Sequence, residues 1–428
     1  MARASVTARH RTNSVSDALG ALSWRVYVFA ILLSFFVVVE PAPTDLVFMI
    51  AVAIFCFSRP VTTNFLSGSA LLGIYLYLAF SVLSLVFVEF VFMFALRAVA
   101  IEFYMIGLFA MTAYFVKTRG DAAFATILGA MAIGGVLASF VTLVALFDLI
   151  PNSEILFRGE GARNRVKATF KDPNVFGPFL VPGFLFLTWV VVESPRFRLW
   201  ALGAMGLVTI SLIATFSRGA WVHAFISLSV FSLALLVYRP TARATFTAIV
   251  WFAIIVCCVI LLFLDQITAR LADSFFAQRL SLQTYDTSRF GYVADAARQI
   301  WEHPLGIGPF QARYVYGYLP HNTFVAFAMH NGLFACLGLI LIYGSAMARC
   351  IVKVVDQQPG WTKYALVFSV LLGLLVLMQV VGSIHWRHMY LVCGLAFGTY
   401  TTNTLLVAPN PLRRRKRAAR RRNWQPAE

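Results

Sequence analysis

A succession of long apolar runs with few charged residues constrains this chain more than any other feature of its sequence. A helix needs about 20 apolar residues to cross roughly 30 Å of hydrocarbon. Because 60% of the residues are hydrophobic and only 12% are charged, too few polar side chains remain to cover a soluble domain. We therefore predict an all-α polytopic membrane protein with about twelve transmembrane helices. The predicted helices span 24–39, 45–58, 66–88, 91–116, 122–148, 173–193, 199–216, 219–238, 245–264, 321–349, 361–382 and 389–406.

The basic residues predict how these helices are oriented. Lys and Arg are enriched in short cytosolic connections. Placing the N-terminus in the cytosol brings the basic connections near residues 59, 117–119, 196–198, 239–243 and 349–353 to the same side. The C-terminus is then also cytosolic, and its arginine-rich run explains much of the net charge of +17 without any nucleic acid. Attraction to anionic lipid is the favoured role of that run.

This orientation divides the chain into membrane and aqueous parts. We expect a basic cytosolic tail over 1–23, transmembrane helices 1–5 over 24–148, a basic outer loop over 149–172, helices 6–9 over 173–264, a large outer loop over 265–320, helices 10–12 over 321–406 and a basic cytosolic tail over 407–428. Only the two outer loops are long, so the functional residues are expected in and beside them.

The first outer loop carries five basic and three acidic residues, a net charge of +2 on the side where the topology rule disfavours positive charge. Guanidinium groups bind phosphate oxygens in a forked geometry, so Arg163 and Arg165 are candidate ligands of an anionic substrate, with the ammonium group of Lys167 as a further cation beside them. A surface loop paired with its own carboxylates or with lipid headgroups explains the charges equally well. The loop leads into a membrane helix expected to begin near Pro173 or Asn174.

The second outer loop has no net charge and contains two local patterns. Apolar residues recur at helical spacing from Ser288 to Trp301 and predict an amphipathic helix on the membrane or on the bundle. After it, Gly306-Ile307-Gly308 predicts a turn, and a simple turn is the favoured interpretation. The alternative is a flexible backbone that closely approaches a ligand or another helix.

Several polar residues are predicted at the outer membrane boundary. Arg218 lies in a very short hairpin, where a charged residue usually faces a cavity or a partner, although snorkelling to the lipid surface is the alternative. His321 opens the tenth predicted helix, where it could relay a proton, donate to phosphate or serve a structural role. His330 follows nine residues later, a rotation of about 900° on a regular helix, so only one of the two histidines can be central. Contact with the membrane surface is expected for the last outer turn, with His385, Arg387 and His388.

The cysteines and histidines predict no metal site and no cofactor. All six cysteines lie in apolar segments or at a cytosolic end, where they cannot link the outer loops. No cysteine pair has the spacing of metal ligands, and the chain contains no HExxH motif. Packing is the expected role of the cysteines.

Four short motifs occur in the order found in a known family of membrane enzymes. They are Thr169–Asn174 before a membrane helix, Ser217-Arg218-Gly219-Ala220-Trp221 in a short hairpin, Ser288–Tyr292 continuing to Trp301–Gly308 in the large loop, and His321-Asn322 at the head of the next helix. In these motifs and in their topology, the chain resembles the O-antigen ligase and Wzy-type polysaccharide polymerase superfamily. The resemblance covers about residues 160–335, and the other helices match only in number.

The resemblance implies a metal-independent inverting glycosyltransferase in the bacterial inner membrane, with its active face in the periplasm. The donor would be a glycan linked to undecaprenyl pyrophosphate, and the acceptor another lipid-linked glycan or the lipid A core, in surface polysaccharide or exopolysaccharide biosynthesis. By the same resemblance, Arg218 and Arg289 would bind the pyrophosphate. His321 would lie near the reacting centre, either taking the acceptor proton or orienting phosphate. Fixed guanidinium groups can stabilise the charge that develops when pyrophosphate leaves.

Further substrate contacts are predicted for Arg163, Arg165, Lys167, Asn174, Asn322 and His330. Members of the superfamily often carry a glutamate nine residues after the histidine, where this chain has His330. If that acid positions the acceptor, the departure implies that the acceptor differs, or that another carboxylate such as Glu160 or Asp295 substitutes.

Two other functions are weighed against glycan transfer. A transporter or flippase of lipid-linked sugars would also have about twelve helices and membrane-embedded arginines. Transporters tend to show repeated halves and charges at the membrane midplane, whereas this chain has no evident repeat and concentrates polar residues in two outer loops. A noncatalytic assembly scaffold would tolerate alanine at Arg218, Arg289 and His321. The motifs are compatible with both a polymerase and a ligase.

Overall fold

The structure is a computed structural model that describes residues 2–58, 63–158, 165–239 and 284–403. Side chains are described from residue 15 in the first helix and from residue 291 in the helix that opens the last range. The α-helices of this part are α1 (Ala2–Leu33), α2 (Pro43–Ser58), α3 (Gly68–Ser84), α4 (Phe92–Leu146), α5 (Pro173–Glu193), α6 (Arg198–Ala214), α7 (Arg218–Tyr238), α8 (Thr284–Glu302), α9 (Gln311–Val315), α10 (Thr323–Asn331), α11 (Leu333–Val355), α12 (Trp361–Leu377) and α13 (Arg387–Leu395). Short three-ten helices cover Leu85–Phe87, Ser153–Leu156 and Pro195–Phe197, and β1 (Phe157–Arg158) pairs antiparallel with β2 (Arg165–Val166).

Seven helical segments within the described residues are long and apolar enough to cross a membrane. They are Val15–Leu33, Gly68–Phe87, Phe92–Leu146, Pro173–Glu193, Pro195–Ala214, Arg218–Tyr238 and Leu333–Val355. The shorter helices α2 and α12 are also apolar. The segments confirm the predicted all-α polytopic membrane class. The number of twelve spans stays a prediction, and the span predicted over 245–264 lies outside the described residues.

Helix α4 joins two predicted spans, 91–116 and 122–148, in 55 consecutive residues. Gly120 interrupts it with φ 55° and ψ −129°, which glycine adopts without a side-chain clash. A Cβ atom on Gly120 would lie only 2.8 Å from the carbonyl oxygen of Thr399. Each half of α4 is therefore a helix of its own, long enough to cross the hydrocarbon.

The tenth predicted helix, 321–349, is wrong as a single element. The chain instead forms α10 up to Asn331 and α11 from Leu333. Between them, Gly332 has φ 89° and ψ 165°, a backbone region open essentially to glycine alone. The break ends α10 inside the bundle, so the polar residues of its last turn lie at depth in the protein.

The last predicted helix, 389–406, is also shorter than expected, since α13 ends at Leu395 and residues 396–403 are not helical. The backbone N–H and the hydroxyl of Thr401 donate to the Asp121 carboxylate at 3.2 Å and 2.6 Å. The buried Asp121 carboxylate thus accepts from the Thr401 N–H, which would otherwise donate within a continued helix.

The turn predicted at 306–308 closes against the break between α10 and α11. The Ile307 N–H donates to the carbonyl of Met329 at 3.0 Å, and the Gly308 N–H donates to the carbonyl of His330 at 2.9 Å. These bonds satisfy carbonyls that have no partner within α10. A Cβ atom on Gly306 would lie 2.4 Å from the His330 carbonyl oxygen. The glycines therefore serve a close approach to another helix, which is the alternative to a simple turn.

The amphipathic helix predicted over 288–301 is present as α8, and it packs on α10 of the bundle. Ala296 and Ile300 are buried on its inner face. Trp301 was predicted on the same apolar face but is 78% exposed.

Candidate functional site

A cavity of about 1110 Å³ lies among α4, α5, α7, α8, α10 and the segment that joins α12 to α13. Its volume is at the upper end of the range for ligand sites in proteins, so it can hold part of a large substrate. We name two parts of its lining. The basic wall consists of Arg165, Asn174, Ser217 and Arg218, and the cavity floor consists of Ala98, Glu102, Phe327, His330 and Asn331.

Four of the described helices, α5, α7, α10 and α13, begin at this cavity. Side chains cap three of these starts. Asp172 accepts from the Asn174 N–H at 2.7 Å, Ser217 caps α7, and Asn322 accepts from two backbone N–H groups of α10 at 3.0 Å each. The first turn of a helix carries partial positive charge. The converging helix starts therefore favour an anionic group in the cavity.

The basic wall brings together residues from the first outer loop and from the short hairpin before α7. Arg165 donates through Nη2 to Asn174 Oδ1 at 2.7 Å and through Nε to the Thr215 carbonyl at 3.1 Å. Ser217 donates to the same Asn174 oxygen at 3.0 Å. Arg218, the first residue of α7, lines the cavity beside them. The wall thus holds two guanidinium groups next to two helix starts, an arrangement suited to phosphate oxygens.

Other charged lining residues are paired with neighbouring protein groups. Lys171 contacts Glu40 at 2.9 Å, and Arg158 pairs with Asp172. Five basic and three acidic side chains line the cavity, a net charge of +2 when its histidines are neutral. The cavity therefore remains electropositive after its own carboxylates are counted.

Both His321 and His330 line the cavity, and the single regular helix from residue 321 on which their predicted separation rests is interrupted. His321 precedes Asn322, the cap of α10, and is not in helical phase with His330. That only one of them is central stays a prediction. The Nε2 atom of His330 is shielded from solvent and has no hydrogen-bond partner in the part of the chain that the structure describes.

Not every predicted site residue meets in this cavity. Lys167 and Asn322 do not line it, and Asn322 instead caps α10. Arg163 lies outside the described residues. Arg289 belongs to α8, one helical turn before the lining residue Val293, but its side chain is outside the described part.

The last outer turn faces the protein, and its expected contact with the membrane surface is wrong. His385 and Arg387 line the cavity, and His388 is buried. Arg387 donates two hydrogen bonds of 2.7 Å to the Asp45 carboxylate, which compensates its charge where water is scarce. Burial lowers the pKa of His385 to about 4 despite the opposing charge of Glu40, so this imidazole is neutral at pH 7.

Sequence reasoning also missed the carboxylate at the cavity floor. Glu102 of α4 is 2% exposed, and Asn331 Nδ2 donates to both of its oxygens at 3.0 Å. Asn331 also donates to Ser81 at 2.8 Å. A charged residue within an apolar run was the available signal, because such residues usually face a cavity or a partner.

The carboxylates predicted to substitute for a glutamate at position 330 are not found at the floor. Asp295 pairs with Arg298 on α8 at 3.0 Å and does not line the cavity, while Glu160 lies outside the described residues. Glu102 is the carboxylate that reaches this region, through its bonds with the residue after His330.

Residues 203–340 match the family model described as O-antigen ligase. This match supports membership of the O-antigen ligase superfamily. No curated protein matches the chain significantly. The O-antigen ligase match contains Arg218, Arg289 and His321, whereas Arg165 and Glu102 lie outside it. A glycan-transfer function of the ligase or polymerase type is therefore supported, and part of the cavity is built by regions beyond the match.

Proposed function

We propose that this protein is a membrane glycosyltransferase that moves a glycan from undecaprenyl pyrophosphate to a second glycan or to a lipid A core. The observation that carries the proposal is the basic wall, where two arginines stand beside the starts of α5 and α7. The pyrophosphate is the part of such a donor that these groups would bind. The O-antigen ligase match supports the class of reaction.

In the proposed reaction, an acceptor hydroxyl oxygen forms a bond to the anomeric carbon of the donor. The bond from that carbon to the pyrophosphate oxygen breaks, and its electron pair leaves with the pyrophosphate. Arg165 and Arg218 would stabilise the negative charge that grows there. Attack opposite the leaving group inverts the anomeric configuration. Because pyrophosphate leaves readily, the proposal needs no covalent enzyme intermediate, and no metal ion is assigned a role.

His321 is proposed to act at the reacting centre, since it lines the same cavity immediately before the cap of α10. An imidazole can take the acceptor proton or donate a hydrogen bond to phosphate. The variant His321→Gln separates these roles, because an amide donates hydrogen bonds but does not accept a proton near neutral pH. A loss of about 10²-fold or more in transfer would assign the proton to His321. A smaller loss would assign it to phosphate binding.

The remaining predicted contacts are proposed around this centre. Arg289 would add a further guanidinium group to the pyrophosphate, and the position of α8 beside the cavity supports this role. Arg163 and Lys167 would attract the anionic substrate from the first outer loop.

We further propose that the cavity faces the periplasm across a bacterial inner membrane, with both chain termini in the cytosol. The loops 149–172 and 265–320 would then lie on the periplasmic side. The support is the distribution of Lys and Arg among the short connections of the sequence.

The deciding experiment deletes the gene and analyses the lipid-linked glycans that remain. A lost polymerase leaves single repeat units on undecaprenyl pyrophosphate, whereas a lost ligase leaves the finished polymer there. We expect one of these two products, restored to normal by the wild-type chain but not by His321→Ala. Unchanged chain-length and linkage profiles in the deletion strain would contradict the proposal.

A further inference from the structure

Two polar groups at the cavity floor have hydrogen-bonding capacity that the protein leaves unused. His330 Nε2 has no hydrogen-bond partner among the described residues. Glu102 lines the same cavity and forms no ion pair with any basic side chain in the described ranges. Its partners are Asn331 and Ser81. A carboxylate can accept about four hydrogen bonds, so Glu102 has acceptor sites left for a ligand.

These groups suit the hydroxyl groups of a neutral sugar. A carboxyl group can accept hydrogen bonds from hydroxyls, and a neutral imidazole nitrogen donates to or accepts from a hydroxyl. Phe327 and Ala98 add apolar surface beside them for the C–H groups of a sugar ring. The floor therefore differs in chemistry from the basic wall, and the two would bind different parts of the substrates.

The cavity floor is also a closed end. Glu102 and Asn331 are only 2% and 1% exposed. The turn at 306–308 covers the end of α10 through the N–H groups of Ile307 and Gly308. His330 is the eighth residue of α10, so it lies about 10 Å along the helix axis from Thr323 at the start of α10. A group that reaches the floor must enter the cavity end first.

We propose that the cavity floor is the subsite for the terminal sugar of the acceptor, with Glu102 and His330 binding hydroxyl groups other than the nucleophile. This inference rests on the proposed glycan transfer. A closed end can hold only a sugar that is linked to the rest of the substrate on one side. The terminal sugar of the acceptor glycan is linked in this way. The reacting sugar of a longer donor carries pyrophosphate on one side and the remaining glycan on the other. The acceptor therefore fits the floor, and the donor does not.

The test separates the two substrates in kinetics with the full-length protein in proteoliposomes. The donor is the lipid-linked glycan isolated from the deletion strain, with its terminal sugar methylated so that it cannot accept. The acceptor is the same glycan freed from its lipid pyrophosphate, or lipid A core if the enzyme is a ligase. We expect Glu102→Gln and His330→Ala each to raise the KM for the acceptor about tenfold, the loss of a hydrogen bond to a bound ligand. The donor KM should stay within about twofold.

A deoxygenated acceptor tests the contact itself. Removing the terminal-sugar hydroxyl that His330 binds should weaken the acceptor about tenfold for the wild-type protein. The same acceptor should show no further loss with His330→Ala, because the contact is then already absent.

His388→Gln is the matched control, because His388 is 3% exposed but does not line the cavity. It should leave both KM values unchanged. Thermal unfolding verifies that each variant folds, and if His330→Ala fails to fold, the isosteric Glu102→Gln decides the outcome. If the acceptor KM of the variants is unchanged, or if the donor KM rises instead, the proposed acceptor subsite is overturned. The proposed function still stands in that case, provided that the wild-type protein transfers glycan. An inactive wild-type protein would overturn the proposed function as well.

Discussion

Helix α12 joins two polar regions that handle buried charge in different ways. In its first turn, Lys363 contacts Asp121 at 2.9 Å, and the two side chains are 1% and 4% exposed. At its other end, Leu377 lines the cavity whose floor contains Glu102. The rise of the helix between Lys363 and Leu377 is about 21 Å. The same helix therefore contacts a charge cluster that the protein completes and, at its other end, lines a cavity whose floor keeps polar groups with unused hydrogen-bonding capacity.

The Lys363 cluster is completed by protein groups from several parts of the chain. Thr401 donates to Asp121 at 2.6 Å, and Lys363 also donates to the carbonyl of Thr402. The Lys363 ammonium lies 5.3 Å from the centre of the Trp189 ring. At the cavity floor, by contrast, two polar groups keep unused hydrogen-bonding capacity. We therefore expect the Lys363 cluster to contribute stability, and we propose ligand binding for the cavity.

The largest expected effect is on stability, from Lys363→Met. Asp121 would remain buried without its cation, and breaking a buried pair in this way costs about 3–5 kcal/mol. The double variant Lys363→Met with Asp121→Leu should cost less, because no uncompensated charge remains. Thermal unfolding in detergent measures both. Transfer per folded molecule should stay at the wild-type level, and a selective loss of transfer would break the comparison between the two regions.

Arg218→Ala in the basic wall is expected to reduce the rate of glycan transfer and to leave the stability of the fold nearly unchanged. Removing a group that stabilises developing charge typically costs about 10²- to 10³-fold in rate. The rate of glycan transfer in proteoliposomes gives the measurement. Arg218→Lys should recover only part of the rate, since an ammonium group lacks the forked geometry. Stability should change little, and a variant that transfers glycan normally would remove Arg218 from the site.

Gly332→Ala, at the break beside the cavity floor, should reduce the stability of the fold by a smaller amount. The added Cβ atom would lie 2.7 Å from the carbonyl carbon of Leu305, in a backbone conformation that disfavours any side chain. We expect a loss of about 1–3 kcal/mol in the free energy of unfolding. Gly344→Ala in α11 is the control, because nothing lies within 4 Å of its added Cβ. Equal melting temperatures for the two variants would contradict a strained break.

The smallest effect is the pH dependence expected from His385. Its folded pKa of about 4 lies below the ordinary value of 6.5, so the unfolded chain binds its proton first as the pH falls. The contribution of neutral His385 to the free energy of unfolding is therefore complete above pH 6.5 and declines below it. The loss at pH 5 is at most about 2 kcal/mol. Melting temperatures at pH 7 and pH 5 measure this loss. His385→Gln should reduce it, and an unchanged difference between the two pH values would exclude His385 as its source.

The part of the cavity that sequence reasoning could find consists of residues at helix starts. Asn174, Arg218 and His321 lie in or just before the first turn of a helix, and all three line the cavity. Prolines, capping residues and the end of an apolar run indicate such starts locally. A sequence pattern can therefore predict where these residues lie relative to the membrane without any knowledge of the helix packing.

The rest of the cavity depends on contacts between distant parts of the chain. Glu102 and Asn331 are 229 residues apart, and Asp45 and Arg387 are 342 residues apart. No local pattern pairs such positions. The break at Gly332 did have a local signal, because an Asn-Gly pair within an apolar run is typical of a turn. The helical period on either side of it concealed that signal.

The turn at 306–308 anchors one end of α8. It fixes the chain just after the C-terminal end of α8 to the end of α10 by hydrogen bonds from Ile307 and Gly308. Arg289 lies near the opposite end of α8, about 20 Å from Glu302 along the helix axis. Ala296 and Ile300 also pack the inner face of α8 on the bundle, so the helix is held along its length as well as at this end. The backbone position of residue 289 therefore depends on how the other end of α8 is anchored at the end of α10.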